Sequence, residues 1–85
     1  MNQNSITERV QKLVCETLRI TADRYSQDLE VGSIPEWDSL GQVNLLQAAE
    51  AEFNITFDVR DALNIQSVAE LLETVQRYTD DSAAV

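Results

Sequence analysis

Residues 35–53, PEWDSLGQVNLLQAAEAEF, change character at Asp38. Up to Trp37 the chain has no period and contains Pro35, whereas beyond it the apolar residues recur at helical spacing. A carboxylate at position 38 can accept from the orphan N–H groups of a first turn, so the pattern predicts a helix over about 38–53. Leu45, Leu46, Ala49 and Phe53 form its expected inward stripe. The opposite arc, from Leu40 through Gly41, Asn44, Gln47, Ala48 and Ala51, carries no charge, with Glu50 and Glu52 toward its flanks. Ser39 stands in the first turn, where a side chain points outward. Its bland reading is an ordinary first-turn serine.

Working toward the N-terminus, residues 20–37 show no sustained period and contain Gly32, so they read as a long connection, pinned by Tyr25, Leu29, Val31 and Ile34. Before it, Ile6, Val10, Leu13, Val14 and Leu18 share one face of a helix expected at about 5–19, opened by Ser5 with Glu8 three residues on. Cys15 falls on the polar side of that wheel as a partly exposed thiol. Toward the C-terminus, Asp58 caps a segment of barely two turns, about 58–64. Ser67 and Glu70 then form a second capping box ahead of a helix over about 67–79, whose face is Val68, Leu71, Leu72, Val75 and Tyr78. Residues 80–85 read as a frayed tail. The expectation is a single all-α domain over 1–85: a small four-helix bundle with a long first loop and a short third helix.

Composition bounds what such a domain does. A chain of 85 residues buries roughly 60–65% of its unfolded surface, enough for one modest core and too little for a deep active site. Hydrophobic content of 44% with 25% charged residues is that of a globular protein. No apolar run of about 18 residues spans a membrane, and no basic segment precedes an apolar stretch at the N-terminus, so the expected location is cytoplasmic. Six Lys and Arg against fifteen Asp and Glu, a formal charge of −9, repel nucleic acid and anionic membranes and favour partners with basic patches. With no histidine there is no Ser-His pair and no His-containing zinc site, and Cys15 is the one cysteine. No metal site is expected. A nucleophilic role for Ser39 would need a carboxylate or Lys12, the only lysine, as base.

Asp38-Ser39-Leu40 at the head of the second helix, midway along the chain after a long loop, resembles the attachment signature of the acyl carrier proteins. The apolar register of 38–68, the aromatic closing the second helix and the short third helix are similar to that family as well. The resemblance implies a carrier rather than an enzyme, with phosphopantetheine from coenzyme A esterified to Ser39 and an acyl or aminoacyl group held as a thioester on the arm. It implies that Asp38 both caps the helix and helps engage the phosphopantetheinyl transferase. Other implied partners are a loading ligase and condensing or acyl-transfer enzymes, with a monomer as the default state. Leu40, Gly41, Asn44, Gln47, Ala48 and Ala51 become the candidate partner contacts. Trp37 joins them, although packing over the core is its better reading. Bulk fatty-acid carriers commonly read Gly-Ala-Asp-Ser-Leu followed by acidic residues; Glu36-Trp37 before the Asp, and Gly41 and Asn44 after it, look more like carriers of specialised pathways. An aminoacyl or peptidyl carrier, and an unmodified acidic adaptor, are the alternatives.

Overall fold

The computed structural model describes residues 2–84, with side chains over 6–79. Four α-helices follow one another: α1 (Asn2–Leu18), α2 (Ser39–Phe53), α3 (Val59–Asn64) and α4 (Val68–Ala84), with a single 3-10 turn at Ala22–Arg24 in the long first connection. No strand is present among the described residues. The all-α bundle with a long first loop and a short third helix is therefore the fold of the chain.

The core forms where the apolar faces of α1, α2 and α4 meet. Val10, Val14, Leu45, Val68, Leu71 and Val75 are all fully buried, with Leu13, Leu18 and Ala49 beside them. The expected face of α4 is also the observed one, with Tyr78 partly buried at its end. Four buried residues come from connections instead: Ile20, Trp37, Phe57 and Ile65. The long loop is thus a structural layer. Tyr25, Leu29 and Ile34 pack on the core as expected, while Val31 stays exposed and uses its backbone, donating to the Gln66 carbonyl at 3.0 Å. That bond and Val68 N–H to the Leu29 carbonyl, 3.0 Å, make the Glu30–Ser67 bridge, which ties the loop to the start of α4. Gly32, at φ 87°, makes the turn that lets its N–H reach the Trp37 carbonyl at 2.8 Å.

Helix ends differ from the sequence expectation in instructive ways. α1 begins at Asn2 rather than Ser5. Asn2, Gln3 and Asn4 contain no helix breaker, and extending an existing helix costs little once its nucleus is formed. Ser5 therefore lies inside the helix, and its side chain is outside the described residues. At the other end Arg19 takes φ 60° and Ile20 N–H reaches back to the Cys15 carbonyl at 3.0 Å. Asn54, φ 55°, does the same for α2, with Ile55 N–H on the Glu50 carbonyl at 3.0 Å. Both are left-handed C-terminal closures built without glycine. α4 continues to Ala84 instead of stopping at 79, since nothing between Thr79 and Ala84 is Gly or Pro. Its start uses a shifted capping box: Ser67 Oγ accepts from Glu70 N–H at 3.1 Å, but the Glu70 carboxylate accepts from Gln66 N–H at 2.8 Å.

The short α3 is held by one clamp. Asp58 caps it by accepting from Arg60 N–H at 2.9 Å. The Tyr78 hydroxyl of α4 accepts from Asp58 N–H and donates to Asp61 Oδ2, both at 2.7 Å, while Arg77 donates to Asp61 Oδ1 at 3.1 Å. Phe57 meets the Tyr78 ring edge-on at 5.3 Å. These contacts replace the core burial that α3 lacks.

Candidate functional site

Asp38 enters α2 in an extended conformation, φ −100° and ψ −166°. Its Oδ1 accepts from Gly41 N–H at 2.8 Å, and its carbonyl accepts from Gln42 N–H at 2.8 Å. Two donors of the first turn have thus found partners, and the N–H groups of Ser39 and Leu40 belong to the orphans of the helix end. Ser39 is the first residue of the helix and is exposed. An anion carried there stands close to those N–H groups and to the positive end of the helix dipole.

The sequence-derived contacts divide. Leu40, Asn44, Gln47 and Ala51 are exposed, Leu40 by 68%. Ala48 is half-buried and packs against the core. Gly41 is buried: a Cβ there would stand 2.6 Å from the Glu36 carbonyl oxygen and 3.3 Å from Leu18 Cδ2. It is a point of close approach, so its assignment as a partner contact is corrected. Trp37 is fully buried, with its indole N–H donating to Gln42 Oε1 at 2.7 Å, so packing over the core is its place and it too leaves the partner contacts. α2 is weakly amphipathic, so its wheel does not reveal that the loop before it folds back over one side.

Two groups were missed by sequence reading. Gln42 bridges Trp37 to the chain beyond α3, donating through Nε2 to the Ile65 carbonyl at 2.6 Å. Val43, Val59 and Leu63 are exposed apolar side chains on α2 and α3. Val43 lies between Leu40 and Gln47 at i+3 and i+7, a spacing that places it on their face. Nothing local marks Val59 or Leu63, because a six-residue helix gives too short a pattern.

The carboxylates of Glu36, Glu50 and Glu52 are engaged within the chain. Arg24 holds Glu36 with two bonds, 2.9 and 3.2 Å, which lower the Glu36 carboxyl below its usual range. Glu50 accepts from Phe57 N–H at 2.9 Å. Glu52 pairs with Arg9 at 2.8 Å, and that guanidinium also lies 4.5 Å over the Phe53 ring. Cys15 is half-buried, and burial, with Glu16 second, raises its thiol pKa, the opposite of a reactive thiolate. Lys12 lines a groove between α1 and α2 with Arg9, Leu13, Glu16 and Glu52. Glu52 is at the far end of α2, about 20 Å along the helix from Ser39 at 1.5 Å per residue, so Lys12 is no base for that hydroxyl.

Comparison with known proteins gives a consistent family. A family profile described as "Phosphopantetheine attachment site" matches residues 8–75. The chain is similar to an acyl carrier protein of Akkermansia muciniphila, 30% identical over 77 residues that cover 91% of this chain and 96% of the relative. It is 33% identical over 75 residues to an acyl carrier protein of Cyanidium caldarium, covering 88% of this chain and 87% of that one. A third, from Thermosynechococcus vestitus, is 27% identical over 75 residues, 88% and 93% of the two chains.

Proposed function

The chain belongs to the phosphopantetheine-attachment family of acyl carrier proteins, and from that premise we infer that Ser39 is the residue to which the arm is esterified. The protein is an acyl carrier rather than a catalyst, and its cofactor is covalent phosphopantetheine. Once attached, the arm supplies a terminal thiol that holds an acyl group as a thioester. Family members work with a phosphopantetheinyl transferase and with acyl-handling enzymes.

One observation carries the assignment of Ser39: it is exposed at the first residue of α2, directly after a capping Asp38. Attachment replaces the hydroxyl proton of Ser39 with a phosphoryl group, and the 3′,5′-ADP half of coenzyme A leaves. Ser39 and Leu40 N–H groups favour the resulting phosphodiester, by about 0.3–1 kcal/mol for an exposed anion at a helix N-terminus. Asp38, held by Gly41 N–H, fixes the direction in which Ser39 leaves the helix and presents a carboxylate to the transferase beside it.

The character of α2 supports a finer reading, a carrier of a specialised pathway with a dedicated loading enzyme. Glu36, Glu50 and Glu52 are bonded inside the chain, and the exposed face offers Leu40, Val43, Asn44, Gln47 and Ala51. Such a face favours docking by shape and apolar contact over docking by charge.

The test is intact mass after incubation with coenzyme A and a broad-specificity transferase. The wild-type chain gains one phosphopantetheinyl group, and Ser39→Ala gains none while its circular dichroism stays unchanged. A gain that persists in Ser39→Ala places the arm elsewhere, and no gain in either chain favours the unmodified adaptor.

A further inference from the structure

We propose that Gln42 is a specificity-determining residue, a polar latch that closes the seam beneath Ser39 and keeps an apolar cargo outside the helices. The proposal rests on Ser39 as the attachment residue. Gln42 stands one turn further along α2, at i+3 on the same side, and helical side chains lean toward the N-terminus, that is, toward Ser39. Its carboxamide is used at both ends: Oε1 accepts from Trp37 Nε1 at 2.7 Å and Nε2 donates to the Ile65 carbonyl at 2.6 Å. Trp37 and Ile65 are each fully buried. One side chain therefore ties together the loop before α2, α2 itself and the junction between α3 and α4.

An acyl chain threading inward beside Ser39 would have to part these bonds. The indole N–H and the Ile65 carbonyl would then face hydrocarbon, which replaces neither bond, and buried polar groups left unpaired are strongly disfavoured. Outside the latch, Leu40, Val43, Val59 and Leu63 are exposed, so an apolar group has surface to lie on without entering. The cargo class that fits is short or polar acyl groups, presented to partners rather than stored.

A broad-specificity transferase given acetyl- or octanoyl-coenzyme A installs the arm with its acyl group attached, and hydroxylamine cleavage of the thioester is followed by intact mass. Cleavage tracks the fraction of time the thioester spends outside, so acetyl and octanoyl forms of the wild-type chain should react within about twofold of each other. In Gln42→Ala, octanoyl cleavage should slow by about fivefold relative to acetyl, as the opened seam takes up the chain. Trp37 is the only tryptophan, and its indole N–H resonance should be the same in the two wild-type acyl forms. Should Gln42→Ala lose its helical circular dichroism, Gln42→Met, of similar length but without the amide, takes its place.

A wild-type octanoyl form that is protected severalfold, or whose indole resonance moves with chain length, overturns the latch. So does a folded Gln42 variant with no added protection. Failure of the arm to attach appears in the mass before any cleavage is measured and counts against Ser39, not against Gln42.

Discussion

At the residue scale, Gly41 shows how tightly the attachment end of α2 is built. Its hydrogen in place of a Cβ lets the Glu36 carbonyl approach to a distance no methyl tolerates, 2.6 Å, with Asp38 Oδ1 at 3.4 Å. Gly41→Ala should therefore push the 36–38 segment away from the helix and destabilise the fold by about 1–3 kcal/mol, the usual cost of overpacking. A urea midpoint equal to that of the wild type would show that the loop gives way freely. The same substitution should also slow transferase modification, because Asp38 and Ser39 move with the segment. Asp38 and Ser39 were legible in the sequence because capping is local: the partner of Asp38 is Gly41, three residues away. Gly41 was misplaced because its surroundings, the Glu36 carbonyl and Leu18, come from outside its own helix.

At the scale of elements, α3 depends on a clamp and α2 on its exposed face. Asp61 accepts from Tyr78 and Arg77, and these bonds, that to Tyr78 foremost, lower its carboxyl pKa. A carboxyl whose folded pKa lies below its unfolded one contributes stability above the unfolded aspartate value of about 3.9 and loses it as pH falls through the lowered value. Asp61→Asn should be less stable than the wild type at pH 7, and the gap should close below about pH 4. Urea midpoints across that range measure it, and a gap that stays constant with pH removes Asp61 as the titrating group. For α2, Ala51→Arg or Val43→Glu should impair loading by the cognate enzyme more than Glu50→Gln or Glu52→Gln does. Those two carboxylates already hold Phe57 N–H and Arg9. Loading rates at low and moderate salt decide: if the Glu variants lose most of the activity and added salt reproduces the loss, docking is by charge.

For the whole molecule, the decisive quantity is a net charge of −9 on 85 residues. Among the described residues the ion pairs Arg9–Glu52, Arg24–Glu36 and Arg77–Asp61 are at least partly exposed and offset little of the mutual repulsion. Salt shortens the range of that repulsion to a Debye length of roughly 10 Å at 0.1 M, so the thermal midpoint should rise by a few degrees from very low to moderate ionic strength. A midpoint that is flat or falls would mean that the ion pairs, which salt weakens, matter more than the repulsion.

The sequence by itself determined the helices of this protein, their order, the faces of α1 and α4 and the position of Ser39 behind a capping aspartate. All of these follow from interactions within four residues along the chain, where spacing is geometry. Tertiary structure alone decided that Gly41 is inside, that Gln42 joins three segments, that Val59 and Leu63 are exposed, and that Glu50 and Glu52 are already engaged. Gln42 and Ile65 are far apart in sequence, as are Arg9 and Glu52. Such pairs meet only when the long loop and α3 close over a weakly amphipathic α2, whose own pattern does not say which side they will cover.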